Sequence, residues 1–241
     1  MTTNGRPQIY AAGSLRPAFD VLAAATPGGL RLQYANARDL ADRIVAGERP
    51  DVFASASAEH PRALYEAGLV GEPRPFASNR LVVAVPTASS ARDAAELARP
   101  GVRVVIEVEG IPLGDYTREL LALLDEHAGA GFADRVLINV VAQEQTVDVV
   151  ANRLLAGEAD AAVLYATDVA ARRDVLRAIE MPAGVAVTVT CFASVVNGGA
   201  APALGQAWLD GLTAAPAAVV LRRAGFGPPP PLPPSARAAA A

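Results

Sequence analysis

Residues 46–54 read AGERPDVFA, and residues 156–164 read AGEADAAVL. In both stretches a glycine and a glutamate follow a predicted helix, and an aspartate leads into a short apolar strand. Glycine suits the end of a helix, because the backbone there often adopts a left-handed conformation. The spacing differs by one residue, so this is not a strict repeat. The two stretches nevertheless predict two similarly built lobes, one for each copy.

Apolar segments alternate with helical patterns along the whole chain. The predicted strands are 9–12, 30–35, 51–54, 81–85, 102–108, 136–141, 161–165 and 185–196. The predicted helices are 17–25, 39–46, 59–67, 115–127, 147–156, 203–212 and 217–223. Short apolar strands separated by helices are typical of parallel sheets covered on both faces. The sequence therefore predicts an α/β fold built from βαβ units, in which strands 81–85 and 185–196 are candidates for crossing between the lobes.

The composition restricts the kind of protein. The 241 residues are enough for one large domain or two lobes, and a hydrophobic share of 52% allows a buried core. A formal net charge of −4 without a basic run argues against nucleic acid and anionic membranes as partners. All 21 basic residues are arginine, so Schiff-base and Walker-type lysine chemistry are excluded. The single cysteine, Cys191, cannot form an internal disulfide, and two histidines alone argue against structural zinc.

The two ends of the sequence are polar or rich in proline. No apolar stretch reaches the roughly 18–20 residues that span a bilayer, and residues 1–8 are not typical of a signal peptide. A signal removed earlier and a cytoplasmic protein remain alternatives. Residues 227–241 read GPPPPLPPSARAAAA, which predicts a disordered tail of polyproline character. A ligand for a proline-recognition domain is the alternative for this tail.

Strand-to-helix turns carry the candidate binding residues. Ser14 follows the first strand, where a hydroxyl and the N–H groups of a helix start favour an anion, and simple helix capping is the alternative. Asn36 or Asp39 is expected to cap the next helix, and Arg38 is either an anion ligand or a solvated charge. Thr146 is a further expected N-cap.

One tyrosine and two histidines are expected to have different roles. Tyr165 ends a predicted parallel strand, at the edge where open α/β sheets bind ligands, with a core tyrosine as the alternative. His127 falls late in a helical pattern and is expected at a helix end rather than in a catalytic or metal site, and His60 has no evident partner.

The sequence lacks the motifs that would support a catalytic function. No G-x-S-x-G elbow is present, and no G-x-G-x-x-G follows a strand. The acidic residues of the helix-to-strand turns, Glu48, Asp51, Glu158 and Asp160, are expected to be solvated charges. We therefore predict no catalytic residues, no metal site and no cofactor.

Six stretches together resemble the molybdate-binding protein family, the substrate-binding subunits of molybdate and tungstate ABC importers. They are AAGSL (11–15), LADRIVAGERPDVFASAS (40–57), FASNRLVVAVP (76–86), IPLGDYTRELL (111–121), GEADAAVLYATD (157–168) and RRAGFG (222–227). Their order and spacing match over residues 8–227. The resemblance implies a two-lobed type II periplasmic-binding-protein fold with two crossing strands. Lobe 1 would comprise 1–82 and 191–226, lobe 2 would comprise 83–190, and 227–241 would be the tail.

The resemblance also implies one oxyanion in the interlobe cleft, held mainly by backbone N–H and hydroxyl donors. The residues carried over are Ser14, Ala37, Leu113, Val147 and Tyr165. Ala37 stands where the family usually has a second serine, so only its N–H would act, with Asn36 or Arg38 as the replacement donor. Asp148 stands where many relatives have arginine.

The implied function is molybdate or tungstate binding and delivery to the permease of an ABC importer, by a monomer outside the cytoplasmic membrane. The alternatives are a binding protein for another oxyanion or small solute on the same fold, and a cytoplasmic sensor domain. Hydrogen phosphate carries a proton and needs an acceptor, so an Asp39 or Asp148 directed at the ligand would favour phosphate.

Overall fold

The computed structural model describes residues 5–230, and nine strands and nine α-helices lie in that part of the chain. The strands are β1 (Gln8–Ala12), β2 (Arg31–Ala35), β3 (Val52–Ser55), β4 (Arg74–Pro86), β5 (Val104–Glu107), β6 (Val140–Glu144), β7 (Ala161–Tyr165), β8 (Leu176–Ile179) and β9 (Thr188–Val195). The helices are α1 (Arg16–Ala25), α2 (Ala37–Val45), α3 (Glu59–Glu66), α4 (Pro112–Ala128), α5 (Phe132–Ile138), α6 (Val147–Leu155), α7 (Ala166–Ala170), α8 (Pro202–Leu212) and α9 (Ala215–Arg223).

Contacts divide the chain into two units. Unit 1 is the described part of Met1–Ser78 and Val189–Ala241, and unit 2 is Asn79–Thr188. The first change of unit falls inside β4 and the second at the start of β9, whereas the sequence prediction places them at 82/83 and 190/191. Most of the predicted tail, residues 231–241, lies outside the described residues.

The sheet of unit 1 is parallel at its centre. Strand β1 pairs in parallel with β2 on one side and β3 on the other, and β9 runs antiparallel to β3. One face is covered by an aromatic cluster. The centre of the Phe19 ring lies 5.1 Å from the centre of the Trp208 ring and 5.8 Å from that of the Phe76 ring. The other face is buried by a separate apolar cluster that includes Tyr10 and Phe53. Burial on both faces explains why these strands are almost continuously apolar.

The sheet of unit 2 has the same design. Strand β5 pairs in parallel with β6 and β7, and the later part of β4 pairs antiparallel with β7 and β8. One large apolar cluster from these strands and from α4, α5 and α6 forms the core. Within residues 5–230 no single helix is long and apolar enough to cross a membrane, and only the bent pair α8 and α9 passes that test jointly.

The predicted α/β class is confirmed, and three predicted strands need correction. The segment 136–141 was predicted as a strand, but α5 ends at Ile138 and β6 occupies Val140–Glu144. The 13-residue β4 is the longer of the two strands at the unit boundaries, whereas β9 has only 8 residues. No strand was predicted at β8 and no helix at α5.

The two sequence copies form the same hydrogen-bond pattern, one in each unit. The N–H of Asp51 donates to the carbonyl oxygen of Gln8 (2.8 Å), and the N–H of Gln8 donates to the Asp51 carboxylate (2.7 Å). Asp160 and Arg103 exchange the same two bonds at 2.8 and 2.9 Å. Each aspartate therefore fixes the start of its own strand against the parallel neighbour.

The expectation of a solvated charge is wrong for Asp51. Its residue is only 1% exposed, and its second oxygen accepts the N–H of Ala201 at 2.5 Å. A Cβ added to Gly199 would lie 2.7 Å from the same oxygen, so the chain before α8 can approach the carboxylate only as glycine. Asp51 therefore joins β1, β3 and the start of α8.

Candidate functional site

The carboxyl ends of β1, β2 and β3 form one edge of unit 1, which we call the unit 1 edge. Ala12 and Ala35, the last residues of β1 and β2, are paired in register. Ser14 follows the first of these strands and Asn36 and Ala37 follow the second, so the structure brings the three predicted residues of unit 1 to the same edge. Parallel α/β sheets bind ligands at this edge.

Ser14 does not cap α1. It lies in the 3₁₀ turn Gly13–Leu15, and Leu15 occupies the N-cap position without a side-chain hydrogen bond. The Ser14 side chain is exposed. The capping alternative is therefore wrong, and the exposed hydroxyl lies at the unit 1 edge.

A cation lies beside Ser14. The Arg16 guanidinium carbon is 4.2 Å from the centre of the Tyr34 ring, and Tyr34 is the penultimate residue of β2. The Tyr34 hydroxyl donates to Asp20 (2.8 Å), and burial together with this bond raises the pKa of the phenol. The stacking holds a positive charge close to the unit 1 edge.

The start of α2 supplies the second group of donors. The Asn36 side-chain oxygen accepts the N–H of Arg38 at 2.9 Å, which confirms Asn36 as the cap and leaves its amide nitrogen as the remaining donor. Ala37, the first residue of α2, is half-buried and offers its N–H alone. Sequence reasoning missed Ser55 and Ser57, whose hydroxyl oxygens lie 3.5 Å apart at the end of β3. Small polar residues directly after a strand were the available signal.

The unit 2 edge is formed by the carboxyl ends of β5, β6 and β7. Leu113 lies in the first turn of α4 after β5, Val147 is the first residue of α6 after β6, and Tyr165 ends β7. Because β5 pairs in parallel with both neighbours, the structure brings these three predicted residues to one edge as well.

The start of α4 already holds an anionic side chain. Oε2 of Glu107 accepts the N–H of Leu113 at 3.1 Å and the N–H of Gly114 at 3.3 Å. Glu107 is 2% exposed, and burial raises the pKa of its carboxyl against the opposing effect of these two bonds. Sequence reasoning missed this residue, because its partners lie across a loop of irregular geometry.

The start of α6 is capped as predicted, since the Thr146 hydroxyl accepts the N–H of Val149 at 3.4 Å. Asp148, in the first turn, is exposed and pairs with Arg172 at 2.7 Å. The acidic residue that stands in place of the family's arginine is therefore accompanied by a cation from the segment after α7.

Tyr165 is half-buried at the end of β7, and its N–H donates to Asp168 at 3.2 Å. Burial raises the pKa of Asp168 to about 6, although the Tyr165 N–H and the Arg172 charge act in the opposite direction. Asp148 and Glu107 raise it further through charge repulsion. The unit 2 edge thus combines donors with the buried carboxyl group of Glu107 and the half-buried carboxyl group of Asp168.

Comparison with known proteins agrees with this architecture. The profile of the bacterial extracellular solute-binding proteins matches residues 7–227. The chain belongs to this family. The predicted resemblance is confirmed by the molybdate-binding protein ModA of Mycobacterium tuberculosis, which is 29% identical over 229 residues, covering 92% of this chain and 84% of the relative.

Solved structures share the fold of this solute-binding protein. A substrate-binding domain from Clostridium difficile, assigned to a molybdenum ABC transporter, superimposes with a TM-score of 0.82 at 21% identity and covers 92% of this chain and 98% of its own. The sulfate-binding protein SubI of Mycobacterium tuberculosis gives a TM-score of 0.71 at 18% identity, covering 97% and 89%. The type II periplasmic-binding-protein fold is thereby established.

Two other residues singled out in the sequence are His127 and Cys191. His127 is exposed in the last turn of α4, at the helix end as predicted. Across residues 5–230, no group of three or more histidine, cysteine or acidic residues could hold a metal ion. Cys191 is buried in β9, and burial raises the pKa of its thiol to about 12.

Proposed function

We propose that this solute-binding protein binds molybdate or tungstate and delivers it to the permease of an ABC importer. The observation that carries the proposal is the position of all six predicted residues at the carboxyl edge of a parallel sheet, beside the start of a helix. The similarity to the molybdate-binding protein of M. tuberculosis over 92% of the chain supports the choice of ligand.

The chemistry of the edges suits a dianion that accepts hydrogen bonds. Molybdate is fully deprotonated at neutral pH, so it accepts hydrogen bonds and donates none. The N-terminal N–H groups of helices and hydroxyl donors bind such an anion, and the helix dipoles favour its charge. The formal net charge of −4 does not attract an anion, so the attraction is local. Arg16 and Arg38 carry positive charge at the unit 1 edge, and Arg172 carries it at the unit 2 edge.

Each predicted residue has a distinct role in this proposal. Ser14 donates through its hydroxyl and its N–H, and Tyr165 donates through its phenol. Ala37 and Val147 donate through the N–H of the first residue of α2 and α6. The remaining donors are the Asn36 amide nitrogen, which replaces the missing serine hydroxyl, and the N–H of Leu113.

The setting of the protein follows from the same proposal. An importer subunit of this kind works on the outer side of the cytoplasmic membrane, so we place this chain in the periplasm or, associated with that membrane, on its extracellular side. It acts as a monomer, carries out no chemical reaction and contacts its permease partner. It does not bind nucleic acid, because its charges are mixed and acidic in sum.

A second candidate is another oxyanion on the same fold. Ala37 removes a hydroxyl, and Asp148 adds an acceptor in the first turn of α6. An acceptor favours an anion that carries a proton, such as hydrogen phosphate. The structural similarity to a sulfate-binding protein supports a wider range of oxyanions on this fold.

Isothermal titration with molybdate, tungstate, sulfate and phosphate tests the proposal. We expect saturable one-to-one binding of molybdate or tungstate. Ser14→Ala and Tyr165→Phe should each weaken it by about 1–3 kcal/mol, roughly 5–150-fold, because a charged acceptor loses a donor. Absence of heat with both metal oxyanions would refute the proposed ligand.

Two matched variants control for the loss of a hydroxyl as such. Ser90 is exposed beyond the end of β4, which runs antiparallel to β7, so it lies at the opposite edge of the unit 2 sheet. Tyr65 is exposed on α3. Ser90→Ala and Tyr65→Phe should leave the affinity unchanged. Equal losses in the control and edge variants would show that the edges do not hold the ligand.

A further inference from the structure

The Glu107 carboxylate occupies a donor that the proposed function requires. The residue ends β5, and Oε2 lies 3.1 Å from the Leu113 nitrogen and 3.3 Å from the Gly114 nitrogen. One N–H carries one hydrogen, so a ligand oxygen at the Leu113 donor competes with the Glu107 oxygen for it. The side chain is therefore an internal anion at the position assigned to a ligand oxygen.

The loop around Glu107 holds this arrangement tightly. A Cβ on Gly114 would lie 1.8 Å from the carbonyl oxygen of Val108, so the start of α4 packs against the end of β5 without room for a side chain. Arg118 donates to the carbonyl oxygen of Gly114 at 2.9 Å and to that of Glu107 at 3.3 Å. The carboxylate is thus held by the N–H groups at the start of α4, and Arg118 bonds the main chain of Glu107 to the same helix.

No opposite charge neutralises the carboxylate directly. Among the ion pairs of the described residues, none includes Glu107, and the Arg118 guanidinium pairs instead with Glu109 at 3.4 Å. The acidic neighbour Asp168 on α7 adds like charge. A dianion brought to the Leu113 N–H would meet a buried, uncompensated negative charge, which weakens its binding.

We propose that Glu107 is an internal competitor of the bound oxyanion, which gives up the Leu113 N–H when the ligand arrives and thereby lowers the affinity of the site. The inference rests on the proposed function, because it assigns a regulating residue to the same site. It differs from a purely structural role, in which the carboxylate would keep its bonds to α4 whether or not the ligand is bound.

Titration of three proteins with molybdate and tungstate at about pH 8 tests this role. Glu107→Gln keeps an oxygen that can accept an N–H but removes the charge, and should bind at least about tenfold tighter than the wild type. Asp115→Asn is the matched control. It removes the same charge from an exposed carboxylate of α4 that accepts the N–H of Gly110 at 2.7 Å, and should change the affinity less than about threefold.

The outcomes separate the two proposals. Wild-type binding with no gain in Glu107→Gln, or an equal gain in Asp115→Asn, overturns the competitor role and leaves the proposed function standing. No binding by wild type or Glu107→Gln refutes the proposed function itself. Binding by Glu107→Gln alone supports the competitor role.

Nuclear magnetic resonance of the wild type decides the question should Glu107→Gln fail to fold. Saturation with tungstate should shift the resonances of both the Glu107 carboxyl carbon and the Leu113 amide proton. The carboxylate loses the Leu113 N–H as a donor, and the N–H exchanges the Glu107 oxygen for a ligand oxygen. Unchanged signals from both groups in the saturated protein would overturn the inference.

Discussion

Replacing Asp168 by asparagine should change the pH dependence of folding in a defined direction. Burial raises the pKa of the Asp168 carboxyl from 3.8 to about 6. Between these two pH values the folded protein keeps a proton that the unfolded chain has lost. Stability contributed by this group is therefore present at low pH and is lost as the pH rises through about 6.

The size of the effect follows from that pKa difference. A shift of about 2 pKa units corresponds to roughly 3 kcal/mol at about 1.4 kcal/mol for each unit. Asparagine at this position carries no charge, and its side-chain oxygen can still accept the N–H of Tyr165. Relative to wild type, Asp168→Asn should therefore gain about 2–3 kcal/mol in unfolding free energy between about pH 4 and pH 7.

Urea denaturation followed by circular dichroism measures this difference at each pH. Taking the variant minus the wild type removes the contributions of the carboxyl groups that do not interact with Asp168. Ser90→Ala, a change at an exposed residue that carries no charge, serves as the control and should give a flat difference. A flat difference for Asp168→Asn as well would refute the assignment of a buried, protonated carboxyl to this position.

Three further changes test the packing. Asp51→Asn should lower the unfolding free energy in urea by about 2–3 kcal/mol, because a buried carboxylate loses a bond to an N–H donor. Gly114→Ala should lower the unfolding free energy by more than about 3 kcal/mol, because the new Cβ would overlap the carbonyl oxygen of Val108. Gly211→Ala in α8 is the control. A Cβ there meets nothing within 4 Å, so this change should be neutral or stabilising in the same assay. Cys191 should stay unlabelled by a thiol reagent in the folded protein and react fully in denaturant, and rapid labelling of the native protein would contradict its burial.

The parallel sheets were predictable because their strands are short, apolar and separated by helices. The error at 136–141 has a physical reason. Val136, Leu137 and Ile138 are consecutive apolar residues, which periodicity cannot assign to a strand or a helix. Phe132 and Val136, four residues apart, bury one face of α5 in the structure.

The length of β4 was hidden by its composition. Its first half contains Arg74, Pro75 and Ser78, which interrupt the apolar pattern on which strand prediction depends. Tertiary pairing makes these residues a strand, since β4 lies beside β9 in the sheet. The local sequence pattern does not indicate that pairing.

The position of the candidate site could be predicted from the sequence, but the charged groups around it could not. The carboxyl ends of parallel strands meet at one edge, so Ser14 and Tyr165 could be placed from the strand pattern. The hydrogen-bond partners of the buried carboxyl groups could not be predicted in this way. Asp51 accepts N–H groups from residues 43 and 150 positions away in the chain, and only the folded backbone brings those amides to one oxygen pair.

The most direct test of the central claim is a crystal structure of the protein grown with tungstate, in which anomalous scattering locates the metal. We expect one anomalous peak, from a tungstate ion whose oxygens lie about 2.7–3.2 Å from the Ser14 and Tyr165 side-chain oxygens. A peak bound elsewhere, or none at a saturating concentration, would contradict it.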